Sequence, residues 1–109
     1  MAVTTIEGTT TDDEVSILAL DGSATSTEIR LQGAIKNTGA NPMQVMIAST
    51  NFFGDEAAAG FLLAPGLSLA ISTDEQFIGT VPPVEKFSMT VVSANTGAST
   101  TYDLLFTSW

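Results

Sequence analysis

Residues 61–83 read FLLAPGLSLAISTDEQFIGTVPP. Pro65-Gly66 separates two apolar runs, and this pair suits a type II turn, with proline setting φ and glycine accepting the left-handed position. Beyond it Leu67, Leu69 and Ile71 alternate with Ser68, Ala70 and Ser72, the period-two pattern of a strand with one face buried. The acids at 74 and 75 turn the chain into QFIGTV, and Pro82-Pro83 stops that run. The stretch carries neither histidine nor cysteine. It therefore reads as strand, turn, strand.

The same grammar extends in both directions. Val15–Leu20 (VSILAL) precedes the loop DGSATST. In EIRLQGAIK, Ile29, Leu31 and Ile35 face one way while Arg30, Gln32 and Lys36 face the other. NTGANP (37–42) is a reversal in which Gly39 is expected to supply a positive φ. Met43, Val45 and Ile47 then share a face. Downstream, Phe87, Met89 and Val91 alternate with Ser88, Thr90 and Val92, ANTGAST turns the chain, and Tyr102, Leu104 and Phe106 line the inner side of the last strand, with Leu105 opposite them. The strongest helix signal is DEAAAGFLLA (55–64), three alanines behind two acids, which Gly60 and Pro65 limit to a turn or two. Seven or eight short strands at 8–12-residue spacing predict an all-β, single-domain antiparallel β-sandwich or jelly-roll-like barrel. Residues 1–14 carry no period and read as a flexible or docking arm, which leaves 15–109 as the sandwich domain.

Composition narrows the function. A chain of 109 residues holds one domain with one core, and 44% hydrophobic residues suffice to fill it. Charged residues make up only 14%, and twelve acids against Arg30, Lys36 and Lys86 give a net charge of −9. That field repels phosphate backbones and anionic lipid, so neither nucleic acid nor membrane is an expected partner. No cysteine is present for disulfides, thiolate metal sites or nucleophiles. The first residues have neither a basic n-region nor an apolar h-region, so a cytoplasmic site of synthesis is expected.

Catalytic chemistry finds little to work with. The general acid–base residue of neutral pH, histidine, is absent, and no GxSxG elbow occurs. Two carboxylates converging on a cleft would be needed for glycoside hydrolysis, and Glu28, Glu85 and Asp103 fall at outward positions or strand ends. Asp12-Asp13-Glu14, Asp55-Glu56 and Asp74-Glu75 lack the spacing of a calcium loop. No cofactor-binding motif appears. What remains is surface: Phe52 and Phe53 are adjacent in a loop, Trp109 is the last residue, and Leu105 points away from the core face. Together they suggest an apolar patch that a subunit or partner covers.

The series IKNTGANPMQVMIAS (35–49), GFLLAPGLSLAIS (60–72), FIGTV (77–81) and FSMTVVSANTG (87–97) resembles the small β-sandwich structural proteins of tailed-phage virions, over about residues 29–92. An N-T-G turn before a strand and a G-x-x-L-x-P-G segment introducing the next carry the likeness, and their matching residues (Asn37, Gly39, Pro65, Gly66) are turn formers, not functional groups. The resemblance implies a capsid cement or decoration protein on the virion surface, binding a major capsid protein and commonly homo-oligomeric, often trimeric. A tail or fibre component is the nearest alternative. A carbohydrate-binding sandwich, built on Phe52 and Phe53 beside Asn51 and Asp55, is another.

Overall fold

The computed structural model describes residues 2–74 and 77–109. Eight strands form two four-stranded antiparallel sheets: β1 (Ala2–Thr9), β2 (Val15–Asp21), β3 (Leu31–Asn37), β4 (Met43–Asn51), β5 (Glu56–Leu63), β6 (Ser68–Ser72), β7 (Val84–Ser93) and β8 (Thr101–Ser108). One sheet runs β1-β8-β3-β6 and the other β2-β7-β4-β5. The hydrogen-bonded partners nest: β4 with β5, β3 with β6, β2 with β7, β1 with β8. A long hairpin wrapped around itself in this way is a jelly roll, the double-sheet form of the sandwich.

Alternation in the strands becomes the core. One sheet contributes Leu31, Ile35, Ile71, Tyr102, Leu104 and Phe106, and the other contributes Met43, Val45, Ile47, Phe87, Met89 and Val91, all buried. Outward neighbours such as Gln32, Lys36, Gln44 and Lys86 stay exposed. Strands β3, β4, β6, β7 and β8 thus put their apolar period on the shared interior, as sheet-on-sheet packing requires. The radius of gyration is 13.8 Å, close to that of a compact chain of this length.

Three local expectations give way. Residues 55–64, the best helix signal, contain β5: Ala57, Ala59 and Phe61 are half-buried and Leu63 is buried while the residues between them are exposed. Pairing with β4 along its whole length overrides the alanines' helical preference. The arm expected over 1–14 is ordered into β1 over Ala2–Thr9, which pairs with β8 although none of its residues is fully buried. Most of QFIGTV is a tight reversal with only a Phe77–Thr80 bridge, followed by a cis Pro82–Pro83 bond; Gln76 lies outside the described residues.

The two turn glycines act differently. Gly66 has φ +80°, and Leu67 N–H donates to Ala64 C=O at 3.1 Å, closing the expected turn. Leu67 is thereby held in the turn and exposed, and β6 starts one residue later. Gly39 is not left-handed. It is required by proximity, because a Cβ there would stand 2.6 Å from the Thr101 backbone nitrogen and 2.0 Å from Thr100 Oγ1.

Candidate assembly interface

Each end of the sandwich holds buried, hydrogen-bonded polar groups. At one end four chain crossings meet in a buried polar network. Thr10, between β1 and β2, has its Oγ1 2.8 Å from Ser93 Oγ and accepts there from Thr100 N–H at 3.0 Å. Asn37 Nδ2 donates to Leu63 C=O (2.9 Å) and Asn41 C=O (2.8 Å), while its Oδ1 accepts from Gly39 N–H and Thr100 Oγ1. Buried polar groups persist only when paired in this manner.

Both ends leave apolar side chains in water, Leu67 at the end just described and three residues at the opposite one. Trp109 N–H donates to Arg30 C=O, Ile29 N–H to Val84 C=O, and Phe52 N–H to Pro83 C=O. These bonds bring Trp109, the β4–β5 loop and the β6–β7 segment to one pole. There Phe53 is 72% exposed, Val81 49% and Trp109 44%. Phe52 is half-buried. Of the residues expected to form a patch, Phe53 and Trp109 share this pole, whereas Leu105 lies mid-strand on the outer face of the β1-β8-β3-β6 sheet, 53% exposed. The sequence reading missed Val81 and Val3, since a single valine in a loop or at a strand's start gives no periodic signal.

Trp109 also rims a groove of about 660 Å³ between the sheets, where the edge strands β1 and β2 face each other. Leu18, Leu20, Ile29 and Phe106 line it, with Ala2 and Thr4 on the β1 side. The small side chains of β1 leave this flank open. The other flank, between β5 and β6, is closed by Phe77, whose ring stacks on Phe61 with centroids 6.5 Å apart.

Asp21, Glu28 and Glu56 line three separate surface depressions, each the one described acid in its own. Among the described residues no group of three or more acids converges as a metal cage would require. Asp21 is held below the usual carboxylate range by hydrogen bonds from the Ser23 hydroxyl and backbone N–H, with a smaller contribution from Lys86. It organises the short 3-10 turn Ser23–Thr25. The amide of Asn51 is fully engaged, donating to Asp55 Oδ2 and Val81 C=O and accepting from Phe53 and Asp55 N–H. The loop that bears Phe53 thus spends Asn51 on its own shape and has no free amide to offer a sugar.

No protein-family model matches the chain, and no curated protein matches it. Among solved structures, a protein of the Bacillus endospore appendages, described as a novel family of disulfide-linked pili, superposes with a TM-score of 0.63 at 20% identity. That alignment covers 96% of this chain and 80% of the other. A chain of the infectious bursal disease virus Gx strain aligns over 98% of this chain and 32% of its own length, at 12% identity and a TM-score of 0.39. The first likeness shows a shared fold; the second is too loose to carry weight.

Proposed function

We propose that this protein is a non-catalytic structural subunit, a cement or decoration protein that docks on the outer surface of a viral capsid through the apolar pole and the adjoining groove. The observation that carries this reading is that Phe53, Val81 and Trp109, all exposed, share one end of the sandwich, with Trp109 at the rim of an open apolar groove. Aromatic anchors beside an apolar groove are the surface chemistry of protein docking. The turn-and-strand resemblance to tailed-phage structural proteins supports the choice of a virion. The acidic exterior keeps free copies soluble before they dock.

The test is co-sedimentation with purified capsids of the virus that carries the gene. Wild-type protein pellets with the particles, while Phe53→Ser and Trp109→Ser variants remain in the supernatant, still folded by circular dichroism. Wild-type protein left in the supernatant would remove the virion reading.

A second reading, a subunit of a filamentous appendage, is favoured by the fold shared with the endospore appendage protein. That protein belongs to disulfide-linked pili, and this chain has no cysteine. Filaments of it would be held by non-covalent contacts alone and would survive reducing agent. Negative-stain micrographs of concentrated protein decide between the two: filaments without capsids support the appendage.

A further inference from the structure

The outer face of the β1-β8-β3-β6 sheet carries an ordered pattern that the docking pole does not use. Strand register sets it in cross-strand rows. Glu7 pairs with Asp103 and Asp103 with Lys36. Two residues along, Thr5 pairs with Leu105, Leu105 with Ala34, and Ala34 with Ala70. Beyond that, Val3, Thr107 and Gln32 align. The centre is therefore a flat apolar floor, with a depression of about 480 Å³ around Val3, Ala34 and Leu105.

The charged row reads minus, minus, plus. Like charges directly opposite on neighbouring strands are unfavourable, and Glu7 faces Asp103 in that way. Among the described residues Lys36 makes no ion pair; the two ion pairs involve Arg30 and Lys86. Glu7 and Lys36 are both exposed, on either side of β8. Turned over on itself, the row is complementary at its ends, Glu7 against Lys36, while its centre sets Asp103 against Asp103.

We propose that this face is a self-association surface, on which a second copy of the chain sits, related by a twofold axis running along β8. Rotation about that axis lays β1 of each copy over β3 of the other. Leu105 then meets Leu105 on the axis, Thr5 meets Ala34, and Glu7 meets Lys36 twice. The two Asp103 carboxylates approach each other near the axis, each beside its own Lys36. Sheets stack face to face at about 10 Å, within reach of a lysine and a glutamate extended toward each other. Four strands of this length offer roughly 400 Å² per copy, about half that of a standard interface, so the dimer is weak in dilute solution. Copies held side by side on a particle or filament would associate through it by effective concentration. The inference holds whichever assembly the protein joins.

Sedimentation equilibrium at fixed ionic strength tests it. Wild-type protein is expected to dimerise with a Kd on the order of 100 µM. Lys36→Glu and Glu7→Lys should each weaken the dimer about tenfold or more, and the double exchange should return it to within about threefold of wild type. Leu105→Asp should leave a monomer. All these positions point outward, and dilution-dependent amide shifts of the unmodified protein give an independent readout, expected at Leu105 and Ala34 and not at Ala48 and Ser88 of the other sheet. A wild-type monomer at about 1 mM, a double exchange as weak as its singles, or shifts confined to Ala48 and Ser88 would overturn the proposal. Capsid co-sedimentation of Leu105→Asp keeps the two readings apart, because docking at the pole does not need this face.

Discussion

The Thr100 hydroxyl donates to Asn37 Oδ1 at 2.8 Å, linking the β7–β8 turn to the end of β3 inside a region that water does not reach. Asn37 makes four side-chain hydrogen bonds, two donated and two accepted, and so uses its full donor set. The same residue's backbone N–H and C=O bond Leu67 and Gly66, which ties the β5–β6 turn into the junction.

Asn37→Ala should therefore destabilise the fold by about 2–3 kcal/mol, because Leu63 C=O and the Thr100 hydroxyl lose a buried partner. Thermal unfolding followed by circular dichroism would show Tm lowered on the order of 10–15 °C. Thr100→Val, which removes one of the four bonds and keeps the shape, should have a smaller effect.

Adjacent residues on β8 should respond in opposite ways. Leu104 is fully buried and Leu105 is half-exposed. Leu104→Ala should cost about 3 kcal/mol, the transfer and cavity contributions together. Leu105→Ala should stay within about 0.5 kcal/mol in dilute monomer. Urea unfolding midpoints measure both.

The glycines of the two turns separate conformation from space. Gly66→Ala meets no atom within 4 Å and carries only the left-handed penalty, about 1–2 kcal/mol. Gly39→Ala places a Cβ against the Thr101 backbone, where nothing short of moving β8 relieves it, and should cost at least about 2–3 kcal/mol. The order of the two Tm values is the check.

Tyr102 gives the fold an alkaline limit. Burial raises its phenol above the ordinary value of 10.0, so the folded chain resists ionisation that the unfolded chain accepts. The stability this represents is complete below pH 10 and is lost as pH rises from there through the higher folded value. Tyr102→Phe should remove that part of the alkaline loss. As the chain has one tyrosine, its ultraviolet tyrosinate band reports the residue directly. Asp21 acts in the other direction: its lowered carboxyl favours the folded state above the unfolded value of 3.8, and the contribution fades as pH falls through the folded value.

The sandwich was legible because its core strands carry strict alternation. Met43, Val45 and Ile47, or Phe87, Met89 and Val91, have one reading under period two and a poor one under 3.6. β5 was not legible because alanine fits either period, and only its pairing with β4 decides. β1 was hidden for another reason: its inward residues are Ala2, Thr4, Ile6 and Gly8, with a single large apolar side chain among them. Of the site, Phe53, Leu105 and Trp109 were visible as apolar residues out of phase with the core. Their separation onto a pole and a sheet face depends on pairings between distant segments, which local sequence does not encode.

Nested pairing also favours an order in time. Thr50 and Glu56 close a short loop, whereas Ala2 and Ser108 must find each other from the two extremities. Loop-closure entropy rises outward through the nest, and β1 brings the least burial in return. Closure from the middle outward is the expected order, with β1 the last strand to settle. Until it does, β8 presents a bare margin to every neighbouring molecule.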